Sequence, residues 1–190
     1  MKIADAAFLS LLICQIGCGK TAPSAKNTPL AQSTSTASKT YPNAKAQANQ
    51  LNDAVLSGDY DKAADLTYPR LIQLIGGRAK YLAMLKGGMD ETQSDSFRII
   101  STVSDDPTDI IEVGSDIYAI LPTTMKIKVA EGVLVGQSTL IGVSNDRGEH
   151  WTFINAGKGF NHERLKILFL AVADRLKVPE QKRPVLQRAP

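Results

Sequence analysis

Cysteine is almost missing from this chain. Its only two, Cys14 and Cys18, fall in the first eighteen residues. The remaining chain can hold no disulfide, no thiolate nucleophile and no cysteine-ligated metal. Histidine is equally scarce. His150 and His162 sit on what read as different elements, without metal-ligand spacing, which argues against a zinc site. Aromatics make up 6% of the residues, with one tryptophan, Trp151. No apolar run approaches the roughly 20 residues needed to cross a bilayer. Acid is absent from residues 20–42, which carry Lys20, Lys26 and Lys39. Elsewhere the carboxylates gather in turns and helix starts: Asp59, Asp61, Asp105, Asp106 and Asp146. None stands at a core-facing strand position between apolar neighbours, so no acid/base pair is legible. Gly157-Lys158-Gly159 precedes a helix, but Thr152 and Gly159 stand where a phosphate loop needs Gly and Ser/Thr.

The formal charge of +3 belongs to the two tails. Residues 43–176 hold 14 Lys/Arg against 17 Asp/Glu and are mildly acidic. A nucleic-acid surface would need its basic residues on the domain itself, so no nucleic-acid partner is expected.

Residues 1–18 read as an export signal. Lys2 is followed by the short apolar segment Ala6–Ile13, then by Gly17-Cys18. A basic start, a short apolar core and a small residue before the break are its marks. Gly17-Cys18 resembles a bacterial lipoprotein box, although Gln15 stands where that family prefers Leu. The resemblance implies cleavage before Cys18 and lipidation of Cys18. It implies a cell-envelope location on the periplasmic or outer face, with the membrane as a partner. Residues 19–42 follow as a linker rich in Thr, Ser, Ala, Pro, Gln and Asn. They hold too little apolar surface to order themselves. As a flexible coil this segment would span about 25 Å.

What the chain has in abundance is strand alternation. In Ile117–Val129, Met125, Ile127 and Val129 alternate with Thr124, Lys126 and Lys128. Glu131-Gly132 breaks the pattern, Val133–Ser144 resumes it, and Asn145-Asp146-Arg147-Gly148 breaks it again. His150–Asn155 closes the run with Trp151 and Phe153. This predicts a three-strand antiparallel meander. Its first two strands reach about 40 Å each, and a sheet that long twists and curls. Pro122 inside the first strand predicts an edge position or a bulge. Ahead of the meander, Ser96–Ser104 and Thr108–Val113 read as shorter strands, with Phe97, Ile99 and Val103 on one face of the former. Before them come helices over Asn43–Ser57, Tyr60–Thr67, the segment after Pro69, and Arg78–Met89. Leu165, Leu168, Phe169, Val172 and Leu176 predict a final helix from about Asn161. Residues 177–190 show little periodicity and read as a loose, proline-containing tail.

Helices followed by a curved antiparallel sheet make an α+β fold. N-terminal helices should pack in the concave face of the sheet, with a C-terminal helix added. The order and several motifs resemble the nuclear transport factor two-like, or cystatin-like, superfamily, in particular its bacterial exported members. These motifs are Gly58-Asp59-Tyr60, Thr67-Tyr68-Pro69, Gly76-Gly77, Leu121-Pro122, and Ser144–Gly148 running into Trp151–Ile154. They cover about residues 43–176. The resemblance implies a cone-shaped sheet filled by helices. It also implies a candidate homodimer through the outer sheet face. It implies no activity, since the superfamily spans isomerases, dehydratases and inert modules.

The best polar candidates for a cavity wall are Tyr68, Tyr81, Gln137 and Thr139, with Trp151 beside them; Tyr118 is a third tyrosine for such a cone. Gln137 and Thr139 share a face with Val133, Val135, Ile141 and Val143. Lys126 and Lys128 read as solvated surface. Ser144-x-Asp146-x-Gly148-x-x-Trp151 resembles an Asp-box, in which Asp caps a turn and Trp packs beneath it. Three readings remain open. The favoured one is a membrane-tethered binding module for a small apolar ligand or a protein, with no cofactor and no catalytic residues. The others are an isomerase- or dehydratase-type enzyme using the cone, and a structural envelope protein.

Overall fold

The computed structural model describes residues 41–94, 97–157 and 159–188. The expectations for the signal segment, Cys18 and nearly all of the linker lie outside the described residues.

Four helices come first. Helix α1 (Pro42–Ser57) opens on a proline, whose missing N–H is no loss in a first turn. Its Ala44, Ala48, Leu51 and Ala54 recur at helical spacing and are all buried. Asp59 caps α2 (Tyr60–Asp65), its side chain accepting from the Lys62 N–H. Helix α3 (Pro69–Ile75) again starts on proline, and α4 is Arg78–Thr92.

The strands are β1 (Gln93–Ser94), β2 (Phe97–Ser104), β3 (Asp109–Val113), β4 (Asp116–Val129), β5 (Gly132–Ser144), β6 (Thr152–Asn155) and β7 (Val185–Gln187). They form one antiparallel sheet in the order β1-β2-β4-β5-β6. Strand β3 pairs with β4 beyond the end of β2, and β7 pairs with β5 beyond the end of β6. The meander is present, and β4 and β5 are paired without interruption from Ile117↔Ser144 to Val129↔Gly132. The α+β class and the curled sheet are as expected.

Both faces of the upper sheet are covered, and two cores result. On the concave face, α1 packs over Ile117, Ala119, Leu121, Leu140, Trp151 and Phe153. On the opposite face, helix α5 (His162–Phe169) and the turns after it pack over Tyr118, Ile120, Ile141, Val143 and Ile154. The final helix therefore lies on the convex side of the curled sheet. Its predicted stripe of Leu165, Leu168, Phe169, Val172 and Leu176 is buried throughout.

Three expectations need correction. Val103 is half exposed, away from the side of Ile99. The β2–β4 register shifts between Ile99 and Ser101, so Ile100 is an extra residue. One inserted residue reverses every later side chain. Ser104, not Val103, therefore faces inward. Pro122 lies neither on an edge strand nor at a bulge. Its carbonyl accepts from the Asp105 N–H, at the point where β4 exchanges β3 for β2 as neighbour. In an antiparallel strand N and O point the same way, so the missing donor falls at this junction and no ladder bond is lost.

The third correction concerns the tail, which is tied to the sheet through β7, paired with Val133–Val135. Gly132 makes room for it. A Cβ there would come within 2.3 Å of the Gln187 carbonyl oxygen, at a φ of 143°. Gly132→Ala should free the tail without unfolding the domain. The readout is amide exchange at residues 185–187, expected to lose its protection while β4 and β6 keep theirs. Unchanged protection at 185–187 would contradict the pairing.

Candidate functional site

The turn between β5 and β6 holds the sheet against α1. The Ser144 hydroxyl donates to Asp146 Oδ1 at 2.8 Å and accepts from the Gly148 N–H at 2.9 Å. Asp146 Oδ1 also accepts from the His150 N–H at 2.9 Å, and His150 Nδ1 lies 2.6 Å from Asp146 Oδ2. Trp151 Nε1 donates to the Gly148 carbonyl at 2.9 Å. Gln47 of α1 spans the same turn. Its Oε1 accepts from the Trp151 N–H and its Nε2 donates to the Glu149 carbonyl. The Asp-box reading describes this geometry: a stabilised turn with the tryptophan beneath it.

Asp146 shows the electrostatic consequence. Hydrogen bonds from the His150 backbone, the His150 ring and Ser144 hold its carboxyl well below the usual carboxylate range. A group whose folded value is depressed stabilises the fold above its unfolded value, near pH 4, and loses that contribution as pH falls below it. Melting temperatures taken from pH 6 to pH 2 should fall below pH 4. Asp146→Asn should melt lower at pH 6 and show a shallower acid slope. Parallel slopes for the two proteins would rule out this carboxylate as a source of acid sensitivity.

A second polar group stiffens the join between α1 and the bulged strand. Asn52 Nδ2 donates to Ser104 Oγ at 3.0 Å, and Ser104 Oγ lies 2.9 Å from Thr123 Oγ1. Asn49 pairs with the Ser104 backbone in both directions. All three inner members of this row, Asn52, Ser104 and Thr123, are buried. The bulge at Ile100 is what turns Ser104 toward them.

The residues expected to wall a cavity do not converge. Trp151 is 1% exposed in the α1 core, edge-on to Tyr41 at 5.8 Å. Tyr81 is buried, its hydroxyl 2.8 Å from Thr67 Oγ1, and burial pushes its ionisation up. Tyr68 lies across the sheet, 5.3 Å from Phe169 in the α5 core, where Tyr118 also meets Phe169 at 5.9 Å. Burial raises both of these tyrosines as well. Thr139 is buried, and the register puts it on the α5 side. Gln137 is exposed, and its backbone carbonyl accepts from Gln181 of the tail.

An open cleft of about 410 Å³ lies elsewhere, where the ends of α1 and α4 meet β2. Its lining includes the polar Tyr60, Asp90 and Arg98 and the apolar Met89, Ile99 and Ile100. None of the five expected residues lines it. Among the described residues, no group of three His, Cys, Asp or Glu is placed to hold a metal ion.

One feature of the outer sheet face was not legible in the sequence. Arg98 of β2 lies directly opposite Lys128 of β4, and Lys126 lies opposite Ser101, one position further along the same face. All three cations are exposed. Like charges facing each other across a strand pair are destabilising. Lys126 and Lys128 carry a signal in their alternation. Arg98 joins them only through the pairing register, which no local pattern announces.

No family model, no curated protein and no solved structure matches this chain.

Proposed function

We propose that this chain is an exported, lipid-tethered interaction module of the nuclear transport factor two-like kind, one that engages its partner through its surface. The observation that carries this reading is the filled part of the concave face beneath α1, none of whose core residues line the open cleft at the ends of α1 and α4. Where an enzyme of the isomerase or dehydratase type would keep a polar cavity between helices and sheet, α1 is packed directly onto Leu121, Leu140, Trp151 and Phe153. Tyr68 and Tyr118 lie together in the α5 core while Tyr81 lies apart from them beside Thr67, and burial raises the ionisation of all three. This supports a binding module over an enzyme. Gly17-Cys18 and the acid-free linker support the tether.

The tether is tested by Cys18→Ser in cells that process lipoproteins. The native chain should fractionate with membranes and the variant should be released to the soluble fraction. Membrane retention of the variant equal to the native chain would sink the lipid anchor.

A further inference from the structure

The outer face of the sheet is only half covered. Its upper half lies under α5, while its lower half, where β2, β4, β5 and β7 run side by side, carries no helix among the described residues. Register defines what this free face displays. Arg98 and Lys128 form one cross-strand row, which continues into Val133 and Gln187. Ser101, Lys126, Val135 and Val185 form the next. Val103 follows, 50% exposed, and Val185 is 64% exposed. The result is a sheet surface with three cations on β2 and β4 beside valines on β5 and β7.

The cations are close enough to act together. Neighbouring strands are about 4.8 Å apart and alternate residues about 7 Å apart, within one Debye length of about 8 Å at physiological salt. Among the described residues, none of the three takes part in an ion pair. Asp90 borders the same cleft as Arg98, but among the described residues no carboxylate pairs directly with Arg98 or Lys128.

We infer that this lower outer face docks onto an anionic phospholipid surface, with Arg98, Lys126 and Lys128 on the headgroup phosphates and Val103, Val135 and Val185 against the interface. The inference rests on the tethered reading above, which puts the domain within a linker's length of a bilayer. Charge complementarity selects the occupant. A second copy meeting this face through a two-fold axis would set the three cations against themselves. An anionic bilayer neutralises them, and each basic residue near such a surface adds attraction. The exposed valines suit a surface with an apolar layer beneath its charge.

The test is co-sedimentation of the full chain with vesicles of phosphatidylcholine alone or mixed with phosphatidylglycerol. The native chain should bind the anionic vesicles more tightly, and at about 1 M salt, where the Debye length is about 3 Å, the difference should vanish. The variant Arg98→Gln, Lys126→Gln, Lys128→Gln should lose about a hundredfold of the anionic-lipid component. It should melt no lower than the native chain, because it removes a like-charge pair. A companion, Lys20→Gln, Lys26→Gln, Lys39→Gln, should keep most of the binding. Loss in the companion with retention in the sheet variant would overturn the inference in favour of the linker. Equal binding to both vesicle types, or none to either, would overturn it too, the latter pointing to an acidic protein as the partner. Cys18→Ser fractionation reads the tether separately. A retained tether without charge-dependent binding removes this inference alone, and a failed tether removes the reading beneath it.

Discussion

Trp151→Ala should destabilise the domain by about 3–5 kcal/mol, the range for emptying a buried tryptophan site. The ring is 1% exposed in the α1 core, edge-on to Tyr41 and close to Gly142. Its Nε1–H is satisfied by the Gly148 carbonyl, so deletion also frees an acceptor inside the turn. The surrounding groups cannot collapse into the gap, because α1 is held to the sheet by Gln47 and by the Asn49–Ser104 pair. Urea titration measures the effect. A change under about half a kcal/mol, the range of exposed positions, would remove Trp151 from the core.

Gly148→Ala should cost about 2–5 kcal/mol, from two independent sources. Its φ is 94°, in the left-handed region, where a side chain adds about 1–2 kcal/mol. A Cβ there would also lie 2.4 Å from Tyr41 Cδ1, and overpacking of this kind costs about 1–3 kcal/mol. Tyr41 cannot simply turn aside, because its hydroxyl donates to Glu112 Oε1 at 2.5 Å and its ring closes the core over Trp151. The double variant Tyr41→Ala, Gly148→Ala separates the two parts. If the ring contact matters, alanine at position 148 costs less in the Tyr41→Ala background than alone. Equal costs in both backgrounds would leave backbone strain as the whole effect.

The elements of this fold were readable wherever one face of a segment decides its conformation. The α1 stripe, the β4–β5 hairpin, the Ser144–Trp151 turn and the α5 stripe all carry their own periodicity. What could not be read was which face of the sheet each helix takes. The signal for a second cover was present in Ile117–Leu121, five consecutive residues that are all buried. A strand apolar on both sides needs packing on both sides. The slip at Ile100 was invisible, because a bulge leaves composition unchanged and shows only when β2 is laid against β4. The tail strand is three residues long, too short to establish a period. The cavity residues were misplaced for a related reason. Gln137 and Thr139 were correctly put on one face of β5, but that face is the one α5 partly covers. The comparison of Arg98 with Lys128 required the same register that the sequence withholds.

The two-core arrangement has a consequence for the order of events on the nascent chain. The α5 core joins neighbours in sequence, the β4–β6 meander and the helix that follows it. The α1 core joins ends that lie far apart, with Gln47 bonded to residues 102 and 104 positions downstream. Contacts between segments close in sequence close the smaller loops and form sooner. Helix α1 can meet α2 and β2 earlier, but its core is complete only once Trp151 and Phe153 have left the ribosome and the meander has curled. Its alanine-rich stripe offers little apolar surface per residue and so binds only weakly in the meantime.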